Sequence, residues 1–403
     1  MIDQSMFDIA SLRARFGPFV CSLAVVSATT FASSALAQEY IVTDRATNRV
    51  IALDATTGAF SRLISTSPLL DEPNSVVLGP GGDLLVASLQ SNRILRIDPS
   101  TGSSSVYLTL DASVAPGTLL YEPNSGDLFV SQFLDVTGGG QTPGSSVFRY
   151  NSAGSLVQTF TTEAGPTGRT GMTLDAAGDL YVSAFTADQS GNGIVLKYDA
   201  SNGYSPLGVF ASGAAVPGGA VGFNGLAFDT AGDLFTAALF SQSLVKFDVD
   251  AGAVIGQTIH NAPIAYPSGV LAMPDDSLIV TSLGNNNPGD PIYGGFLFPG
   301  TILRVDAATG AAQPLLVGDF DHSNTVGGKD FLQWQRSGAV MSDLSDWQAA
   351  FGNVSVAGDF QPTSVLYYEP EVVVGGALVP EPAAWLLAAG AAALGLCRRR
   401  NVA

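Results

Sequence analysis

Residues 319–330 carry the clearest chemistry in the chain. Asp319, Asp321 and Ser323 occupy the first, third and fifth positions of a twelve-residue loop, Thr325 the seventh, and Asp330 the twelfth. In a loop with this spacing, alternate side chains turn toward one centre and the seventh position offers its backbone carbonyl. The last carboxylate completes a shell of hard oxygens. That chemistry is Ca2+ binding. The sixth position needs φ > 0 and holds Asn324, the residue most tolerant of that conformation after glycine. Phe331–Arg336 then reads as a helix. The alternative is an Asp- and Gly-rich linker that binds nothing.

Groups for nucleophilic or acid–base catalysis are scarce. The two histidines are His260 and His322, so a Ser-His-Asp mechanism would have to use one of them, and His260 reads as a loop residue ahead of Pro263. The two cysteines, Cys21 and Cys397, both fall in end segments expected to be removed, which would leave no thiol. No catalytic residue is assigned, and the reading leans away from an enzyme. The net charge of −18 repels phosphate backbones and argues against a nucleic-acid partner.

The rest of the chain is built on a repeated phrase. Copies begin at Glu39, Asp83, Asp127, Asp179, Asp233 and Ser277, 44 to 54 residues apart. Each alternates apolar and polar residues over a short run, and each is followed by a turn. Repeats of this length made of short strands specify a propeller or solenoid. In the second copy, strands are expected at 73–78, 83–88, 94–98 and 104–108, which makes one four-stranded blade. The expectation is an all-β, six-bladed propeller of four-stranded blades over residues 38–317. Asp83, Asp127, Asp179 and Asp233 are read as hairpin turn caps rather than a ring of catalytic carboxylates, and Asp54, Asp98, Asp199, Asp248 and Asp306 likewise. The first copy lacks an inner strand, and the strand-like Thr363–Tyr368 is the candidate to supply it.

Loops leading into inner strands surround the channel of a propeller. Asn74, Asn224 and Ser268 stand at those positions and are the candidate ligand-binding residues, although small polar residues also suit a crowded entrance. The long inserts 134–146, 186–193 and 285–298 are further candidates for contact. The pattern Pro73-Asn74-x-Val76, Gly82-Asp83-Leu84 and Asn92-Arg93-Ile94 resembles the NHL-repeat propellers. More distantly it resembles the gluconolactonase and streptogramin-lyase propellers. In gluconolactonase-like propellers a Glu, an Asn pair and an Asp converge on a divalent cation. Asn74 and Asn224 match that pair in kind, and Glu72 is close by.

The 318–353 segment resembles a dockerin type I module with an EF-hand calcium loop. Its second half, 342–351, echoes the helix but lacks a loop. The resemblance implies bound Ca2+ and a cohesin-like partner.

The two ends read as addresses. Arg13 and Arg15 precede an apolar run, and Ala35-Leu36-Ala37 ends a signal peptide over 1–37, cut by signal peptidase. Residues 354–378 are a linker carrying the candidate closing strand. The tail, 379–403, has Pro380, Glu381 and Pro382, then apolar residues 383–397, then Arg398, Arg399 and Arg400. As a helix the apolar stretch reaches about 22 Å, short of a hydrocarbon core of about 30 Å. The tail resembles the PEP-CTERM sorting signal of Gram-negative bacteria. That resemblance implies recognition by an exosortase, transient anchoring by a C-terminal hydrophobic helix, and delivery to the cell surface or extracellular matrix. The function expected is a binding or assembly scaffold with a glycan or protein partner. The alternative is a secreted lactonase- or lyase-like enzyme with a divalent metal at the channel.

Overall fold

The computed structural model describes residues 38–135, 142–161, 167–186, 192–248, 253–254, 264–284, 300–316, 319, 323–337, 347–353, 360–369, 373–374 and 377–378. They form a six-bladed β-propeller. Blade 1 contributes β1 (Glu39–Asp44), β2 (Arg49–Asp54) and β3 (Phe60–Ser65). Blade 2 is β4 (Pro73–Leu78), β5 (Leu84–Ser88), β6 (Arg93–Ile97) and β7 (Ser104–Thr109). Blade 3 is β8 (Val114–Glu122), β9 (Asp127–Asp135), β11 (Ser146–Tyr150) and β12 (Leu156–Thr161), with β10 (Thr142–Pro143) also paired to β9. Blade 4 is β13 (Thr167–Leu174), β14 (Leu180–Thr186), β15 (Ile194–Asp199) and β16 (Ser205–Ser212). Blade 5 is β17 (Phe223–Phe228), β18 (Leu234–Ala238), β19 (Ser243–Asp248) and β20 (Ala253–Val254). Blade 6 is β21 (Pro267–Ala272), β22 (Ser277–Ser282), β23 (Thr301–Asp306) and β24 (Ala312–Pro314).

Period-two alternation builds the ring. Successive side chains on a strand point to opposite faces, so each strand feeds two cores. Leu84 and Val86 pack against Ile41 and Val50 of blade 1, whereas Leu85 and Ala87 pack against Leu119 and Val130 of blade 3. Further cores join blades 3 to 4, 4 to 5 and 5 to 6. A sixth joins blade 6 to blade 1 through Ile279, Ile302, Tyr40, Ile51 and Phe360. Fully burying a residue of this size contributes about 1.5–3 kcal/mol, and this belt replaces a single central core.

The inner strand of blade 1 comes from the far end of the chain. β25 (Pro362–Tyr368) pairs antiparallel with β1, from Glu39 opposite Tyr368 to Thr43 opposite Ser364. The Thr363 hydroxyl donates to the Pro73 carbonyl at 3.1 Å, and the Val76 N–H donates to Ser364 Oγ at 3.3 Å. These bonds fasten β25 to blade 2 as well.

The turns follow from local chemistry. After the third strand of blade 2, Asp98 Oδ1 accepts the Ser100 and Thr101 N–H groups, and Gly102 takes φ = +70°. A Cβ on Gly102 would stand 2.2 Å from the Ile64 carbonyl oxygen of blade 1, so the same glycine lets two blades meet.

Between blade 6 and β25 the chain forms α1 (Gly328–Ser337) and a helical segment at 347–350. Val326, Ala350 and Trp347 pack on Leu316 and Ala59 of the propeller. Gly300 joins three parts: its carbonyl accepts from Asn324 Nδ2 at 2.9 Å, and its N–H donates to the Phe360 carbonyl at 2.8 Å at the threshold of β23. A Cβ there would meet Pro362 Cδ at 2.5 Å.

Candidate functional site

A cavity of about 270 Å3 occupies the channel and is lined by the inner strands of all six blades. At one end of it, every inner strand breaks register with its neighbour. The shifts fall at Asn74, at Gly117 and Thr118, at Thr170 and Gly171, at Asn224 and Gly225, at Ser268 and Gly269, and at Thr363. These are β-bulges, which leave a residue unpaired and re-aim the strand. The bulges explain the small residues there. A Cβ on Gly171 would stand 2.1 Å from the Asn224 carbonyl oxygen of the next blade.

In several blades a hydroxyl on the second strand supports the bulge. Ser131 Oγ accepts the Thr118 N–H at 2.8 Å, Ser183 Oγ the Gly171 N–H at 2.7 Å, and Thr281 Oγ1 the Gly269 N–H at 2.7 Å. In blade 1, Thr43 Oγ1 lies 2.9 Å from Thr363 Oγ1. The four hydroxyl residues are fully buried.

The structure therefore brings Asn74, Asn224 and Ser268 to one cavity, but in different roles. Ser268 is buried and its hydroxyl is 2.8 Å from Thr281 Oγ1. Asn74 and Asn224 are half-buried. Around them, at the ends of the second strands or just beyond, stand Arg45, Phe133, Leu239 and Leu283. Leu89 and Phe185 hold the equivalent positions in blades 2 and 4, and Phe185 meets Phe240 edge to face at 5.7 Å. Among the described lining residues, Arg45 is the charged one. Its guanidinium pairs with the Glu72 carboxylate, with Nε at 2.9 Å, and lies 6.0 Å from the Phe133 ring. Glu72, the carboxylate nearest to Asn74 in the chain, is thus held by a cation. The inserts noted above fall largely outside the described residues.

The opposite end is built from charge, and there the turn-cap reading needs correction. Asp83, Asp127, Asp179 and Asp233 pair with cations on the third strand: Arg96, Arg149, Lys197 and Lys246. Those cations share one register, each opposite the third residue of the second-strand phrase, as does Arg304 opposite Ile279. Lys197 and Lys246 also lie about 5 Å over the rings of Tyr181 and Phe235. Glu39 instead uses Arg62 of β3 at 2.7 Å. Turn capping is done by Asp175 and Asp229 in the hairpins and by Asp54, Asp98, Asp199 and Asp306 of the second series. Bonds from the Ser100 hydroxyl and N–H hold Asp98 down at about 2, and those from Thr309 lower Asp306.

In the Asp-rich loop, Asp319 and Asp330 are both 1% exposed. Asp319 accepts the Ser323 N–H at 2.9 Å and the Asn324 N–H at 2.8 Å, and Asp330 accepts the Gly327 N–H at 2.6 Å. Asn324 takes φ = +63°. Ser323 Oγ lies 2.9 Å from Thr325 Oγ1. Val326 exchanges backbone bonds with Gly352 and Asn353, so the second half supports the loop. Trp347 Nε1 donates to the Gly327 carbonyl at 2.9 Å and its ring lies 4.9 Å from Phe331. Asp321 and His322 lie outside the described residues. Among those described, no group of three His, Cys, Asp or Glu side chains is placed to hold a metal, and this loop contributes two.

A PEP-CTERM protein-sorting motif matches residues 378–401. It implies export and sorting to the cell surface, with exosortase as the recognising partner. Pro380, Glu381, Pro382, Arg398, Arg399 and Arg400, with the apolar stretch between them, lie outside the described residues. No helix among the described residues is long and apolar enough to cross a membrane. No curated protein matches the chain significantly. A nidogen/laminin complex structure is similar at a TM-score of 0.50 and 13% identity, over 68% of this chain and 92% of the other. A luciferin-regenerating enzyme is similar at 0.48 and 15%, over 66% and 90%. A streptogramin B lyase is similar at 0.39 and 13%, over 68% and 72%. Identities this low speak to the fold alone.

Proposed function

We propose that this exported propeller is a surface or matrix binding scaffold whose ligand enters the channel at the bulged end. One observation carries the reading: apart from Arg45, the described residues around this cavity of about 270 Å3 are uncharged polar and apolar ones, and Arg45 is already committed to the Glu72 carboxylate. A lactonase- or lyase-like mechanism would need a base or a divalent-ion donor set converging on the cavity. The test is binding of the processed protein to envelope material, with turnover of lactones and macrocyclic esters measured in parallel. Binding without turnover supports the scaffold. Divalent-dependent turnover that is lost on replacing Asn74 or Glu72 would overturn it.

The 319–330 loop fits Ca2+, because Asp319, Ser323, Thr325 and Asp330 present hard oxygens, with Asp321 as the remaining ligand. Bound there, Ca2+ would neutralise the carboxylates and fix the loop against Val326 and Trp347. The adjacent apolar Leu332 and Phe351 are exposed and would receive a cohesin-like partner. Trp347 reports on the loop directly, so calcium titration should shift tryptophan emission. An unchanged emission and thermal midpoint up to millimolar Ca2+ would remove the ion from the reading.

A further inference from the structure

The bulged end has a two-fold pattern within its six-fold plan. In blades 1, 3, 4 and 6 the second strand offers Thr43, Ser131, Ser183 and Thr281 to the bulge. Blades 2 and 5 have Ala87 and Ala237 at that position. These two are also the blades whose bulge residue is asparagine. Asn74 and Asn224 line the cavity, and no described residue hydrogen-bonds to either carboxamide. Blades 2 and 5 are three apart in a ring of six, so the two asparagines stand on opposite sides of the channel.

From this juxtaposition we infer that the channel mouth binds one neutral sugar unit, gripped between Asn74 and Asn224; this rests on the mouth being the binding site. A carboxamide offers two N–H donors and a carbonyl acceptor without charge. Its natural complement is a pair of neighbouring hydroxyls, each both donor and acceptor. The rim supplies Phe133, Leu239 and Leu283, which suit the C–H faces of a sugar ring. Among the described lining residues the charge is that of Arg45, and its pairing with Glu72 matches it, which favours a neutral ligand over an acid or an amine. At about 270 Å3 the cavity lies just below the usual range for ligand sites, about 300–1,000 Å3, and fits a ring-sized unit better than an extended peptide.

The test is calorimetric titration of the processed protein with glucose-, galactose- and mannose-terminated oligosaccharides. Matched hexuronate-terminated forms and N-acetyl dipeptide amides serve as controls. A neutral sugar should bind, with an affinity little changed by added salt. Asn74→Ala or Asn224→Ala should each weaken it about tenfold through lost hydrogen bonds, and the isosteric Asn74→Asp should do the same with packing preserved. The thermal midpoint should not move in any of these variants. Preference for hexuronates or dipeptide amides at the same mouth would overturn the sugar while leaving a binding site. Sugar binding that survives the double alanine variant would place the sugar elsewhere and overturn the inference. Absence of binding by every probe to the folded protein would sink both.

Discussion

The two ends of the propeller are made from the same repeat, yet they spend its polar residues differently. At the hairpin end, carboxylates meet third-strand cations or cap turns, so charge is consumed in holding strands together. At the bulged end, hydroxyls hold the backbone, and two asparagines line the cavity with no described hydrogen-bond partner for their carboxamides. Polar groups engaged by the fold are structural. Polar groups held in place but not engaged are available to a ligand.

Substitutions at the two ends test this contrast. The largest effect should come from Gly171→Ala, whose Cβ would fall 2.1 Å from the Asn224 carbonyl oxygen. A loss of about 3 kcal/mol is expected in denaturant unfolding. A loss under about 0.5 kcal/mol would mean that the blades need not meet so closely there. Next comes Ser131→Ala, which strips the Thr118 N–H of its acceptor in a buried site and should cost about 1–3 kcal/mol. If it is neutral, the buried hydroxyls do not hold the mouth.

At the hairpin end, Arg149→Ala should cost about 1 kcal/mol by the same measurement. Its ion pair with Asp127 is partly exposed, and its position over the Tyr204 ring at 4.9 Å adds modestly. Acid should act on this end as well. The folded pKa of Asp98 lies below its ordinary value of 3.8, at about 2, and Asp306 is shifted the same way. Such groups add stability at neutral pH that is lost as pH falls through about 4 toward 2. Asp98→Asn should flatten that fall in an acid titration, and an unchanged acid limb would remove Asp98 from it. The smallest effect should be that of Asn74→Ala and Asn224→Ala on stability, within about 0.5 kcal/mol. A larger cost would make those carboxamides part of the framework and erase the contrast.

Much of this was legible in the sequence. Spaced copies of Asp-Leu-x-Val, with alternation and turn glycines, specify blades. Asn74, Asn224 and Ser268 line one cavity, although they sit in the first residues of the inner strands rather than in loops before them. The bulges were not legible, because a register shift belongs to a pair of strands and no single strand records it. The ion pairs were missed for the same reason: Asp127 and Arg149 are 22 residues apart and meet only across a particular antiparallel register. The signal was present in Arg96, Arg149, Lys197, Lys246 and Arg304, each of which stands two residues before the Asp or Asn that closes the third strand. The absence of a hydroxyl behind Asn74 and Asn224 was also written in Ala87 and Ala237. It acquires meaning only once the four hydroxyls are seen to support bulges.

Closure by β25 has a consequence for biogenesis. Blade 1 begins at Glu39 and is completed by Tyr368, so the first blade to cross a membrane is the last to be finished. Until almost the whole chain has been delivered, the outward edge of β1 and the flank of blade 6 have no partner, and exposed strand edges invite association. Chains that stop short of residue 362 would leave the ring open, and the sorting motif at 378–401 lies beyond that strand. A chain long enough to carry its address has therefore already received the strand that completes its fold.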